Sequence, residues 1–398
     1  MIDSLYIAWR YVSFNWARAM TLVACVTLIA VLPLSLELLL EESERQLLER
    51  AETTPLVVGA KGSELDLVMN SLYFGDTVPE LISMAKLEQV RATGLAVPIP
   101  MYVRFKARGA PIVGTSLDYF DLRGLQIAQG RKFALLGEAV IGAAVATELG
   151  LEPGDDLLSS PETLFDLAGV YPLKMRIVGV LAPSNSADDL AVFVEVKTAW
   201  VVQGLVHGHQ DLAEVTDPTL VMDRSDGKVT ATAKVAQYTQ ITPENIDSFH
   251  FHGDPADYPI TAVIALPYDR KAGAILRGRY VAAGADSDVL SGQITVPSDV
   301  VAELLANIFR IKSVLDAVIL VVGLATALAL VLVFALSLRL RQREIQTMFK
   351  LGCSRMMTAR LLGAEILIIL VASGVLTLLL LGVVSQFDEV LVRALFIR

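Results

Sequence analysis

Residues 317–338 read AVILVVGLATALALVLVFALSL, 22 residues without a charged side chain. Spanning ~30 Å of hydrocarbon takes ~20 apolar residues at 1.5 Å of helix each. Working outward, residues 366–387 form a second such run and residues 19–36 a third. Between the N-terminal run and residue 317 lie about 280 residues of ordinary globular composition. This pattern describes an α+β membrane protein with three transmembrane helices and one large domain, mixed in helix and strand, inserted after the first span.

Lys and Arg favour the cytoplasmic side of short flanks. Arg10 and Arg18 precede the first run, and Arg339, Arg341, Arg343, Lys350, Arg355 and Arg360 fill the loop between the other two. These agree when the N-terminus and residues 339–360 are cytoplasmic, which puts the large domain and residues 388–398 outside. That tail is too short and too charged to cross again, with Asp388, Glu389 and Arg393 in it. The string Leu22-Val23-Ala24-Cys25 has the form of a lipoprotein cleavage box. Only about three apolar residues separate it from Arg18, too few for a signal h-region, and the run continues past it, so it reads as an uncleaved anchor.

Hydrophobic residues make up 54% of the chain and charged residues 19%, and the net charge is −10, which argues against nucleic-acid binding. The two cysteines, Cys25 and Cys353, both lie outside the large domain, whose core must hold without disulfides. At about 270 residues it is large enough to do so.

Residues 1–18 are amphipathic, with Leu5, Trp9, Val12 and Trp16 on one stripe. Two readings stand: the overhang of the first span, or an elbow helix on the membrane surface. Residues 37–54 continue as a charged helical stalk ended by Pro55, and residues 298–316 form a second stalk after the Pro297-Ser298 helix start. The division is then 1–18 N-terminal segment, 19–36 span, 37–54 stalk, 55–297 exported domain, 298–316 stalk, 317–338 span, 339–360 cytoplasmic loop, 361–387 span and 388–398 tail.

Within the domain, strands are expected at Pro55–Gly59, Val97–Lys106, Ile112–Gly114, Met175–Leu181, Ala191–Val196, Val229–Thr239 and Thr261–Leu266. Helices are expected at Leu65–Tyr73, Ala143–Leu149 closed by Gly150, Lys197–Gln203 and Arg270–Ala283. The Ser-, Asn- and Asp-rich stretch Ala182–Leu190 reads as a turn or a mobile tip, and a break near 205–225 as a subdomain boundary.

No phosphate-cradling Gly-x-x-x-x-Gly-Lys-Ser/Thr motif is present, and no nucleophile, base and acid set stands out, so an enzyme reading has little to rest on. The cytoplasmic loop says more. Residues 341–355 read RQREIQTMFKLGCSR, a short helix with a Gly stop at Gly352 and a Ser354 cap for the next helix. Ile345, Met348, Phe349 and Leu351 put apolar groups largely on one face. It reads either as a plain hairpin linking two spans or as a docking helix for a groove in a cytoplasmic partner.

The four histidines form two His-x-His pairs, His207/His209 and His250/His252, with Asp211, Asp254 and Asp257 nearby. On a strand, residues i and i+2 share a face, so each pair suits zinc or copper; otherwise these are loop histidines. Asp316 and Glu365 sit at span boundaries, where a carboxylate is either functional or snorkels to water. Gly323, Ala325, Ala327 and Ala329, and Ala372, Ser373 and Gly374, allow close helix packing.

The run Arg343-Glu344-Ile345 … Lys350-Leu351-Gly352, followed by an apolar helix, resembles the coupling segment of the MacB/FtsX-like (LolE-like) family of ABC transporter permeases. A second block, Ala139-Val140-Ile141-Gly142 … Ala146 … Leu149-Gly150-Leu151-Glu152-Pro153-Gly154-Asp155, then Ile177-Val178-Gly179-Val180-Leu181 and Asp188-Asp189-Leu190-Ala191-Val192-Phe193-Val194, resembles that family's periplasmic core domain. The order of one span, a large outside domain and paired spans matches across essentially the whole chain. The family usually has four spans where this chain shows three.

The resemblance implies an inner-membrane, multi-pass permease subunit that transmits motion from a separate cytoplasmic ATPase to its periplasmic domain, to export or extract a periplasmic or outer-leaflet cargo. It implies ATP bound by the ATPase and no cofactor bound directly, zinc at the histidines apart. It also implies a homodimer, contact with membrane lipid, a periplasmic adaptor or substrate-binding protein, and ATPase docking through Arg343, Glu344, Ile345, Met348, Phe349, Lys350, Leu351 and Gly352. The alternative is an FtsX-like regulator that gates a periplasmic hydrolase.

Overall fold

Alternating and continuous apolar stretches in residues 55–297 become a mixed sheet, and the long apolar runs become long helices. The structure, a computed structural model, describes residues 2–161, 172–208, 221–225, 228–231, 238–251, 253–283, 292–340, 342–350, 352 and 354–396. They fall into two units, Gln46–Glu303 and Met1–Arg45 with Leu304–Arg398.

The Gln46–Glu303 unit is built on a ten-stranded sheet. Its order is Gln293–Thr295, Leu56–Gly59, Ala262–Pro267, Ala96–Ala107, Ala110–Thr115, Val192–Glu195, Glu138–Ile141, Lys174–Leu181 and Ile127–Gly130, with Asp156–Leu158 also paired to Lys174–Leu181. Two pairings are parallel, Ala110–Thr115 with Val192–Glu195 and Glu138–Ile141 with Lys174–Leu181. The rest are antiparallel. Central strands such as Leu56–Gly59 and Glu138–Ile141 are buried along their whole length, which is why they read as short continuous apolar runs. A mixed α/β domain is therefore what the chain builds here.

Helices cover the sheet. Glu64–Tyr73 starts on Ser63, whose hydroxyl accepts from the Asp66 amide, and it buries Leu67, Val68 and Leu72. Val196–Gln203 is capped by the Glu195 carboxylate and closed by Gly204 at φ 84°. It seats Trp200, which is 1% exposed and whose indole N–H donates to the Pro259 carbonyl at 2.7 Å. Burying this ring and satisfying its one polar atom together fix the helix to the sheet.

Most expected elements form within a residue or two, and the Arg270–Ala283 helix matches its expected bounds. Two readings are corrected, and a third is decided between its two alternatives. Among described residues the Val229–Thr239 strand is only Lys228–Ala231, paired with Val221–Ser225; residues 232–237 lie outside the description, and Tyr238 and Thr239 are not strand. No boundary near 205–225 divides the described residues, which share one unit on both sides. The Ala182–Leu190 stretch is a turn but not a tip, because Ala187–Leu190 forms a 3-10 turn that buries Asp188 and Asp189.

In the other unit, Ile2–Phe14 is a helix of its own, separated at Asn15 from Trp16–Glu52. Ala8 is buried while Leu5 and Trp9 are exposed, and this helix packs along Arg355–Phe396. The helix Pro297–Leu340 has 44 residues, ~66 Å of rise. Among described residues three helices are long and apolar enough to cross a membrane. Arg355–Phe396 continues through Asp388 and Glu389, where the sequence suggested a separate tail: no Pro or Gly follows Gly382 to stop it. Ser373 is buried, its hydroxyl 3.4 Å from the Val23 carbonyl of the Trp16–Glu52 helix. Glu365 is buried and Asp316 exposed.

Candidate functional site

The Trp16–Glu52 helix sends its last turns into the mixed unit, and there Arg50 is buried. Its guanidinium donates to both Asp188 carboxylate oxygens, at 2.6 and 2.9 Å, and to the Tyr119 hydroxyl at 2.8 Å. Tyr119 in turn donates to Asp188 at 2.7 Å, and the Arg50 Nε donates to the Leu72 carbonyl. The guanidinium lies 5.4 Å from the Phe74 ring centroid. Nearly every polar atom of this pair is satisfied, which is what makes a buried ion pair tolerable.

Arg123 closes the joint from the Asp118–Arg123 helix, donating to the Arg50 carbonyl at 3.2 Å, to Thr53 at 3.0 Å and to Thr54 at 2.7 Å. Burial alone would raise the Asp188 pKa, but the Arg50 charge and the hydrogen bonds from Arg50 and Tyr119 outweigh it and hold the carboxyl below its ordinary value. Burial pushes the Tyr119 phenol up to about 12. Burial and then the nearby Arg50 charge lower Arg123.

The 182–190 stretch that brings Asp188 here is itself fastened. The Asp189 carboxylate accepts from the Ser184 and Asn185 amides, each at 2.9 Å. Gly142 ends the Glu138–Ile141 strand under it, and its amide donates to the Ala191 carbonyl at 2.9 Å. A Cβ at Gly142 would overlap the carbonyl oxygens of Asp188 and Asp189. Gly142 is thus needed for close approach of two backbones. Sequence reasoning passed over this joint. Arg50 read as one of several stalk charges, and its partner lies 138 positions away.

The cytoplasmic-loop residues form the helix Gln342–Lys350, followed by Gly352 at φ 92° and by Ser354, whose hydroxyl accepts from the Met357 amide at 3.2 Å. Arg343 and Lys350 are exposed, and Phe349 is 41% exposed. Glu344, Ile345 and Met348 hold helical positions, but their side chains lie outside the description, as does Leu351.

His207 stands directly opposite His250 in the antiparallel pair Val206–Gly208 with Phe249–Phe251. The His250 Nδ1 is 3.0 Å from the Ser248 carbonyl. His209, His252 and Asp211 lie outside the described residues; Asp254 caps a 3-10 turn by accepting from Ala256 at 2.9 Å. Among the described residues no group of three His, Cys, Asp or Glu side chains is placed to hold a metal.

The family model described as MacB-like periplasmic core domain matches residues 23–242. The periplasmic region of MacB from Actinobacillus actinomycetemcomitans superposes at TM-score 0.33 and 13% identity, over 64% of this chain and 93% of that one. The extracellular domain of the noncanonic ABC-type transporter YknZ from Gram-positive bacteria does so at TM-score 0.26 and 14% identity, over 38% of this chain and 76% of that one. No curated protein matches the chain.

Proposed function

The chain belongs to the MacB-like periplasmic core domain family, among the ABC transporter permeases of MacB/FtsX-like type, and on that premise we propose that it converts ATP-driven motion of a separate ATPase into rearrangement of its mixed domain. The chain sits in the bacterial inner membrane through three spans, with the mixed domain in the periplasm, and works as a homodimer. Its cargo is a periplasmic or outer-leaflet molecule.

The observation that carries this reading is one continuous helix, Trp16–Glu52. It is apolar over residues 19–36 and ends in the buried Arg50–Asp188 joint. Pro33 removes one bond from the ladder of this helix, which is otherwise unbroken from span to joint and so couples movement of the span to its far end, where a bidentate, desolvated ion pair resists slipping. The exposed Phe349 on Gln342–Lys350 supports the docking role.

The test is affinity capture of the tagged full chain in detergent, with identification of its subunits. An ABC ATPase in stoichiometric amount supports the proposal. Capture of a periplasmic hydrolase with an ATPase that never cycles cargo would favour the regulatory alternative. Alkaline-phosphatase fusions check the topology: active after Arg398, inactive at Arg343.

A further inference from the structure

The hairpin between the last two apolar helices forms an open groove of about 430 Å³, a volume within the range of sites that hold small ligands. Arg339 and Arg355 line it from the ends of the two long helices, and Gln342 lines it from the helix between them. Phe349 and Leu362 supply an apolar wall. Among the described residues no carboxylate lines it, and neither arginine forms an ion pair or a side-chain hydrogen bond. Thr358 is buried, its hydroxyl donating to the Ser354 carbonyl at 3.4 Å, so among the described lining residues the two guanidiniums and the Gln342 amide are the donors left for a ligand.

Two guanidiniums lining one groove call for an oxyanion, because Arg presents paired donors that match phosphate oxygens. Residues 339–364 hold six Lys and Arg and a single acid, Glu344, so nothing in the local sequence neutralises them fully. The apolar wall calls for a ligand that is greasy next to its charge. Depth decides which one. Arg339 follows directly on the 317–338 apolar run, and Leu362 precedes Ile366 by ~6 Å of helix. That is the thickness of the headgroup layer outside the ~30 Å hydrocarbon core.

We propose that this pocket binds the phosphodiester headgroup of an anionic phospholipid, with the acyl chains leaving past Phe349 and Leu362. The proposal rests on the reading that residues 339–360 face the cytoplasmic leaflet. Basic pockets between spanning helices on that side are where anionic headgroups bind. The lipid would brace the Gln342–Lys350 helix against the two long helices, and so set the posture of the segment proposed to meet the ATPase.

The experiment is native mass spectrometry of the full chain in detergent, titrated in turn with phosphatidylglycerol, phosphatidylethanolamine, glycerol 3-phosphate and inorganic phosphate. One phosphatidylglycerol should be retained per chain, well above phosphatidylethanolamine, and neither water-soluble phosphate should displace it at equal concentration. Joint Arg339→Ala and Arg355→Ala should weaken retention about thirtyfold, two basic contacts' worth. Joint Arg343→Ala and Lys350→Ala, on the same loop but outside the pocket, should leave it within about threefold.

If the alanine pair does not fold, as judged by loss of a monodisperse peak on size exclusion in detergent, Arg339→Lys with Arg355→Lys keeps the charge and should retain the lipid with reduced affinity. Equal retention of the two lipids, equal loss in both alanine pairs, or displacement by inorganic phosphate would overturn the proposal. So would loss of ATPase capture with lipid retention unchanged, which would give the pocket to the protein partner. An active phosphatase fusion at Arg343 would instead remove the topology on which it stands.

Discussion

Arg50 and Phe349 are opposites. Arg50 is buried, held by a carboxylate 138 positions away, a phenol and a backbone carbonyl, and its place follows from the assembled fold. Phe349 lies on a nine-residue helix whose start and stop are written within a dozen residues, and it stays 41% exposed at the edge of the groove beside it. The difference separates two kinds of importance. A residue such as Arg50 holds the structure that has to move, and its loss is a stability effect; a residue such as Phe349 offers an unfilled surface, and its loss is a binding effect. Each substitution below should register on one of these readouts and leave the other still.

The largest expected effect is Arg50→Ala. It strands the Asp188 carboxylate in a desolvated site and should lower the stability of the mixed domain by about 3–5 kcal/mol. Urea unfolding of the full chain, followed through Trp200 with Trp9 and Trp16 replaced by Phe, measures this. Arg50→Met with Asp188→Leu should recover most of it, because an apolar pair needs no compensation. The same chain tests the charge. The Asp188 pKa is depressed on folding, so its contribution is fully present above the ordinary aspartate value and is lost as pH falls through the folded value. The Met/Leu variant should therefore show a flatter acid limb. A double variant no more stable than Arg50→Ala would mean that the pair is not what holds this site.

Gly142→Ala comes next, at the upper end of the ~1–3 kcal/mol typical of overpacking, since backbone rather than a flexible side chain must move. The same urea measurement reads it, and Gly150→Ala, where nothing stands within 4 Å but φ is 63°, separates crowding from backbone strain.

Phe349→Asp should leave the urea midpoint unchanged and cut ATPase capture by about thirtyfold, the ~2 kcal/mol of an interface anchor. Normal capture would reduce the helix to a plain hairpin.

The smallest effect concerns the histidines, where both kinds of information meet: local His-x-His spacing, and a non-local register that sets His207 opposite His250. Calorimetry on the full chain should detect about one zinc or copper ion per chain, abolished by His207→Ala with His209→Ala. Affinity should weaken as pH falls through ~6.5, because protonated imidazole cannot ligate. No saturable binding at neutral pH would leave them ordinary histidines.

Much of the fold was legible because it is locally encoded. Gly150, which closes the Ala143–Leu149 helix, and Gly352, which closes the helix Gln342–Lys350, each act through neighbours a few residues away. The short strands Ile127–Gly130 and Asp156–Leu158 were not, since they are only four and three unremarkable residues long and are stabilised by pairing with Lys174–Leu181. The Asp118–Arg123 helix was missed for the same reason: six residues cannot be stable alone, and burial of Tyr119 and Phe120 keeps it.

By itself the sequence determined the three long apolar helices, the charged helix after the second of them and the mixed character of the inserted domain, because hydrophobic length, capping and strand propensity are read over a few turns of chain. Only the tertiary structure decided that a stalk arginine is a buried anchor, that a polar loop supplies its carboxylate, and that two arginines 16 positions apart face one pocket. Desolvation and ion pairing depend on which side chains converge in space, and no local pattern carries that.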